Sequence, residues 1–160
     1  MDQASHCFAF ELDFVSGWRC IPLCLRRKLD LAGVKLKLGH WIELPREERQ
    51  RLVDWDDSPA SLQELRAFLR ERTACLADGQ ARDLPPAKAE PWQQEQTVPD
   101  WVRSSASTCG EVIGDQDWQQ LTELQRFALC KLARPGHDHH NLGPALREFL
   151  PPAAPEPPPP

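Results

Sequence analysis

Ile21-Pro22-Leu23-Cys24-Leu25-Arg26-Arg27-Lys28-Leu29-Asp30-Leu31-Ala32-Gly33 reads as a complete helix with both ends marked. Proline suits a first helical turn because its missing N–H would have no intrahelical partner there. Leu25, Leu29 and Ala32 fall on one apolar stripe, and Gly33 stands where a helix C-terminus wants a left-handed residue. The same design returns 77 residues later as Pro99, Val102, Ala106 and Cys109, closed by Gly110. The correspondence runs without a gap from 22–69 to 99–146. Its identities are Pro22/Pro99, Arg26/Arg103, Gly33/Gly110, Trp41/Trp118, Leu44/Leu121, Arg49/Arg126, Leu52/Leu129, Leu65/Leu142 and Leu69/Leu146. Ordinary residue usage would give roughly three matches over this length. A period this long implies one supersecondary unit used twice, the copies burying each other's apolar faces.

Each copy continues in the same order. After the glycine comes a short link with Val34, Leu36 and Leu38, opposed by Val112 and Ile113. Both copies then read Trp-x-x-Leu followed by a helix start. Pro45 opens the helix in one, with Glu47 and Glu48 near its positive end. Thr122 and Gln125 make a capping-box signature in the other. A last helix spans roughly 58–73 in the first copy and 141–150 in the second. The expected fold is all-α: two tandem helical repeats packed face to face around Trp41 and Trp118. Phe8, Phe10, Leu12 and Phe14 alternate with other residues, so they are expected to form a short extended N-terminal segment preceding the repeats. Residues 1–150 read as a single domain, with 76–97 as a loosely ordered crossover lacking any apolar period. Residues 151–160 read as a disordered proline-rich tail.

The chain has 160 residues, 41% hydrophobic and 27% charged, as in globular proteins of this size. No apolar run approaches the roughly 20 residues of a membrane helix, and no secretory signal opens the sequence. A cytoplasmic location is expected, and with it free thiols at Cys7, Cys20, Cys24, Cys75, Cys109 and Cys130. The net charge of −5 is uneven. Between residues 19 and 37, Arg19, Arg26, Arg27, Lys28, Lys35 and Lys37 face one acid, Asp30. A local basic patch on an acidic protein suits an acidic protein surface better than nucleic acid. A solvated helix face is the alternative reading.

Candidate sites are sparse. Cys20 and Cys24, four apart, would share a helix face and could reach one metal ion or persulfide, though the spacing favours core packing. His137, His139 and His140 form the densest ligand-type cluster, read as a polar loop with metal binding as the alternative. No phosphate loop, nucleophile elbow or zinc-protease element is present. Trp41 and Trp118 read as core pillars; Trp18, Trp92 and Trp101, at segment edges, are either interior or interface anchors. Arg49 and Arg126 read as internal bonds to a helix end or loop carbonyl.

Several stretches resemble the nitrate reductase-associated proteins of cyanobacteria and other bacteria. They are Phe10-Glu11-Leu12-Asp13-Phe14, Arg19-Cys20-Ile21-Pro22, Arg26-x-Lys28-Leu29-Asp30, Gly33-Val34-Lys35-Leu36 with Trp41, and Glu48-Arg49-Gln50 with Leu52-Val53. Further on come Trp118-Gln119-x-Leu121-Thr122-x-Leu124-Gln125-Arg126-Phe127-Ala128-Leu129, Arg134-Pro135 and Pro144-Ala145-Leu146. The central crossover, His139, His140 and the proline tail depart from that pattern. The resemblance implies a non-catalytic accessory or maturation factor, without a cofactor, that binds assimilatory molybdenum nitrate reductase. For such a factor the segment 18–37 is the expected contact surface, with Trp18 and Arg19 as anchors and Arg26, Arg27, Lys28 and Lys35 as steering charges. A thiol- or metal-dependent cofactor-delivery or electron-transfer protein using Cys20 and Cys24 is the alternative.

Overall fold

The computed structural model describes residues 2–136, 139–152 and 157–159. Among these, the regular structure is nine α-helices, two 3-10 turns and one two-stranded ladder. The first half carries α1 (Leu12–Val15), α2 (Leu23–Ala32), β1 (Val34–Lys35), α3 (Leu38–Glu43), α4 (Arg46–Val53) and α5 (Pro59–Thr73). After β2 (Arg82–Asp83), the second half carries α6 (Asp100–Thr108), α7 (Asp115–Gln120), α8 (Glu123–Leu132) and α9 (Leu142–Phe149). The starts of α3 and α7, like those of α4 and α8, lie 77 residues apart.

The punctuation in the sequence sets most helix ends. Pro22 and Pro99 are the N-caps of α2 and α6. Ser58 accepts from the Ser61 N–H to start α5, and Thr122 and Gln125 exchange both bonds of a capping box at α8. Gly33, at φ 76°, ends α2 and sends its N–H back to the Leu29 carbonyl.

α2 is the central element, packed against α4, α5 and α8. Seven of its ten residues are buried, including Arg27 and Lys28. The halves therefore meet chiefly through α2 and α8. The expected seam around Trp41 and Trp118 is replaced by one indole in each half. Each indole N–H donates to a backbone carbonyl of the segment before its own half: Trp41 to Trp18 at 2.9 Å, Trp118 to Gln94 at 2.8 Å. A single cluster of buried apolar side chains nevertheless runs through both halves.

Two expectations need correction. The N-terminal segment is not extended: residues Ala9–Glu11 form a 3-10 turn leading into α1. Its free N–H groups, Ala9 and Phe10, donate to the Glu148 carboxylate on α9, so no strand partner is required. Phe8 and Phe10 both pack on Phe149. A short alternating apolar run does not distinguish a strand from such a docked turn.

The crossover 76–97 is also more tied down than its composition suggests. β2 pairs antiparallel with β1, the Leu84 N–H donates to Gly33 O, and the Ala87 N–H to Asp30 O. Buried His40 accepts at Nδ1 from the Lys37 N–H, which leaves Nε2–H to donate to Gly79 O at 2.7 Å. Trp92, 3% exposed, meets Phe127 edge-on. Isolated anchors of this kind leave no apolar period to read. Of the tail, residues 153–156 and 160 lie outside the described residues, as does His137.

Gly33 and Gly110 share a left-handed backbone, φ 76° and 75°, but not their surroundings. A Cβ at Gly33 would lie 2.4 Å from the Leu84 carbonyl oxygen, whereas one at Gly110 would meet nothing within 4 Å. Gly110→Ala is expected to cost about 1 kcal/mol from the backbone alone. Gly33→Ala should cost at least about 2 kcal/mol, because the crossover must also move. Urea unfolding of the two variants measures the difference, and equal costs would mean the crossover yields freely.

Candidate functional site

The basic stretch 19–37 is divided by the fold into buried and exposed cations. Lys28 is fully buried on α2, its Nζ donating to the carbonyls of Leu52, Val53 and Trp55 at 3.0, 2.5 and 2.8 Å. These are acceptors at the C-terminal end of α4, the end that favours positive charge. Burial lowers the Lys28 ammonium from its usual range, opposed by Cys24, Asp57 and Asp54. Arg27, with 5% of its side chain exposed, bridges Asp57 and Glu123, both at 2.9 Å, and so joins α2 to the first turn of α8. Neither residue is available for steering a partner, contrary to the expectation for this patch. A run of charges carries no signal of which members point inward; only the packing of α2 on three sides does that. Arg19, Arg26, Lys35 and Lys37 remain exposed.

Trp18 is likewise part of an internal clamp. It is half-buried with φ 57°, a left-handed conformation in which its carbonyl receives both Trp41 Nε1–H and Arg49 Nη1–H. Its ring lies 5.9 Å from that of Trp41, and the Arg49 guanidinium stands over the Trp41 ring. Arg49 also donates to the carbonyls of Leu44 and Ile42, closing the end of α3. Arg126 does the corresponding work, donating to Leu121 O at the end of α7 and to Trp92 O in the crossover. Both arginines bond helix ends and loop carbonyls, as their spacing suggested.

Core packing, the favoured reading of Cys20 and Cys24, holds for Cys24 alone. Cys20 precedes the Pro22 cap and is exposed, while Cys24 lies inside α2 and is fully buried. The helix-face pairing of these two therefore fails because only Cys24 is helical. Instead the Cys24 thiol interacts electrostatically with Cys7. That interaction lowers the Cys7 thiol to about 7, against partial burial and helped by the charge of Lys28. It also holds Cys24 protonated, together with burial. Cys7 lines a cleft of about 310 Å³ with Ser5, Val15, Trp18, Pro22 and Gln50.

Glu11 completes this group and was not singled out by its sequence. Its carboxyl is buried in the N-terminal turn, where Oε1 accepts from the Leu23 N–H at the start of α2 and Oε2 has no partner. Burial and the neighbouring Cys7 charge raise it to about 8. Of the histidine cluster, His139 Nε2 contacts Arg134 O, and His140 is exposed. Among the described residues, no group of three or more His, Cys, Asp or Glu side chains could hold a metal ion. No helix among them is long and apolar enough to cross a membrane.

A family model described as conserved nitrate reductase-associated protein matches residues 7–149. The chain belongs to that family. No similar curated protein and no similar solved structure is found. The match to the nitrate reductase-associated family spans Cys7, Glu11, the α2 cations and both tryptophan–arginine clamps, and ends at Phe149. It leaves the proline tail outside.

Two outcomes test this part of the structure. Lys28→Met is expected to destabilise the protein by about 3 kcal/mol or more, because three carbonyls lose a charged donor. Unfolding titrations that find a loss below about 1 kcal/mol would contradict the placement of the ammonium. Glu11 should make stability depend on pH. Its folded value of about 8 lies above the ordinary 4.5, so the native state holds the proton more tightly. Stability is then full below about 4.5 and falls as pH rises, by at most about 1.4 kcal/mol per pH unit. Above pH 7 the lowered Cys7 thiol contributes in the opposite direction and offsets the fall. Glu11→Gln should flatten the slope between pH 5 and 7, as read by thermal unfolding across that range.

Proposed function

We propose that this protein is a non-catalytic accessory or maturation factor that binds assimilatory, molybdenum-dependent nitrate reductase in the cytoplasm. Membership of the nitrate reductase-associated family supports the partner. The factor binds one conformation of the reductase more tightly than others, so its effect is a population shift limited by that difference in affinity. No cofactor of its own is invoked, and a net charge of −5 does not favour nucleic acid.

The observation that carries a contact surface is the difference between α3 and α7. Both are six-residue helices that bury a tryptophan, Trp41 or Trp118. On α3, Leu38 and Ile42 are 51% and 55% exposed, one helical turn apart on one face. The positions 77 residues on are Asp115 and Gln119, both polar and exposed. The scaffold therefore does not require apolar residues there, and their exposure in the first half supports a partner. Exposed Lys35 and Lys37 immediately precede this helix. Leu38 and Ile42 serve as anchors, and Arg19, Arg26 and Lys35 as steering cations. Trp18, Arg27 and Lys28, committed to internal bonds, leave the contact surface.

We also read the two halves as an internal duplication in a single domain, supported by the 77-residue offset of the helices and by the paired Trp41–Arg49 and Trp118–Arg126 clamps.

The test is titration of purified nitrate reductase with the full chain. Leu38→Asp with Ile42→Asp is expected to weaken association at least tenfold while circular dichroism is unchanged. Gln119→Ala on α7 should leave affinity as it was. Unchanged affinity of the double variant removes α3 from the interface, and no association of the native chain removes the partner.

A further inference from the structure

We propose that the reductase meets this surface with an acidic amphipathic helix, laid along α3 and placing one apolar side chain in the cleft between α1 and α4. The inference rests on the reductase-binding reading and adds the chemistry of the partner segment. The outer face of α3 and the cleft adjoin. Arg49 donates from Nη2 to Ile42 O on α3 and from Nη1 to Trp18 O, so a single guanidinium spans the two carbonyls. Trp18 in turn lines the cleft of about 310 Å³ with Leu12, Val15, Arg46, Gln50 and Val53. Leu12, 48% exposed, offers an apolar side chain there, as Leu38 and Ile42 do on α3. Three of the five large apolar side chains exposed among the described residues therefore belong to this surface.

Its shape suits a helix. Leu38 and Ile42, four residues apart, form a ridge of the kind that seats between the side-chain rows of a second helix. The rest of α3 is already occupied. Trp41 is buried, His40 Nε2–H donates to Gly79 O, Glu43 accepts from the Ala77 N–H, and Gly39 lies against the Asp78 carboxylate.

Charge selects the partner. Arg19 follows Trp18, Lys35 and Lys37 precede α3, and Arg46 lines the cleft. All four are exposed, and none is in an ion pair among the described residues. The acids on the same elements are committed or turned aside. Glu43 accepts from Ala77, Glu48 from Arg72 and Asp54 from Gln50. Asp13 and Glu47 are sequence neighbours of Leu12 and Arg46, and so leave their helices on another side. The complement of this surface is a helix with Asp or Glu flanking apolar residues three or four apart.

The test titrates purified nitrate reductase with the full chain at rising salt. Arg46→Glu is expected to weaken binding about fivefold or more and to flatten its salt dependence. Glutamate suits the first turn of α4, so the unfolding curve should not move. Leu12→Asp should weaken binding by a similar factor, since it charges the cleft. Gln50→p-benzoylphenylalanine, photolysed in the complex, should crosslink to a reductase helix with acids beside apolar residues. Full binding by both Arg46→Glu and Leu12→Asp would overturn the inference and leave the reductase as partner. A crosslink to a basic or non-helical segment, or to a second copy of this chain, would overturn it as well. Absence of binding by the native chain would instead overturn the reductase-binding reading, and this inference with it.

Discussion

The ammonium of Lys28, on a helix packed against three others, donates to the carbonyls of Leu52, Val53 and Trp55. Leu52 O has a further donor in the Trp55 N–H, whereas Val53 O and Trp55 O depend on the ammonium, and losing a buried donor costs about 1–3 kcal/mol per acceptor. The bond fixes α4 on α2, and its neighbour Arg27 fixes α8 on α2 through Glu123. Around this helix the rest is arranged: the crossover follows Gly33, and the N-terminal turn docks through Glu11. A cation on α2 would be expensive to bury alone, and here it carries its compensation in fixed carbonyl dipoles rather than in one counter-ion.

The two halves repeat their internal bonds and differ on the outside. In both, an arginine closes the tryptophan helix and reaches a carbonyl of the segment before that half. The solvent side of that helix is apolar in α3 and polar in α7. Internal bonds tolerate little change because each donor is matched to a buried carbonyl, while the outer face is free to serve a partner.

Local signals were legible where one residue type answers one backbone need. Pro22 and Pro99, Gly33, Ser58 and the Thr122–Gln125 pair marked helix ends because caps depend on a few neighbouring atoms. The burial of Trp41 and Trp118 followed from their equivalence in the aligned segments. The Phe8–Phe10 alternation misled because the same spacing serves a strand or a turn lying on Phe149. The crossover misled because it is held by single anchors, Ala81, Gly79 O and Trp92, with no period between them.

The sequence by itself determined a mostly helical chain, and its family, since caps, apolar stripes and recurrent motifs are properties of neighbours along the chain. Only the tertiary structure decided which of six basic residues in 19–37 are buried, that Cys24 is buried while Cys20 is exposed, and that Glu11 loses its solvent. Those outcomes depend on contacts between segments distant in the chain: α2 with α4 and α8, and the N-terminal turn with α2 and α9. Burial, hydrogen bonding and charge act on a side chain through whatever surrounds it in space, and no spacing within 19–37 records that Lys28 would find three carbonyls from residues 52–55.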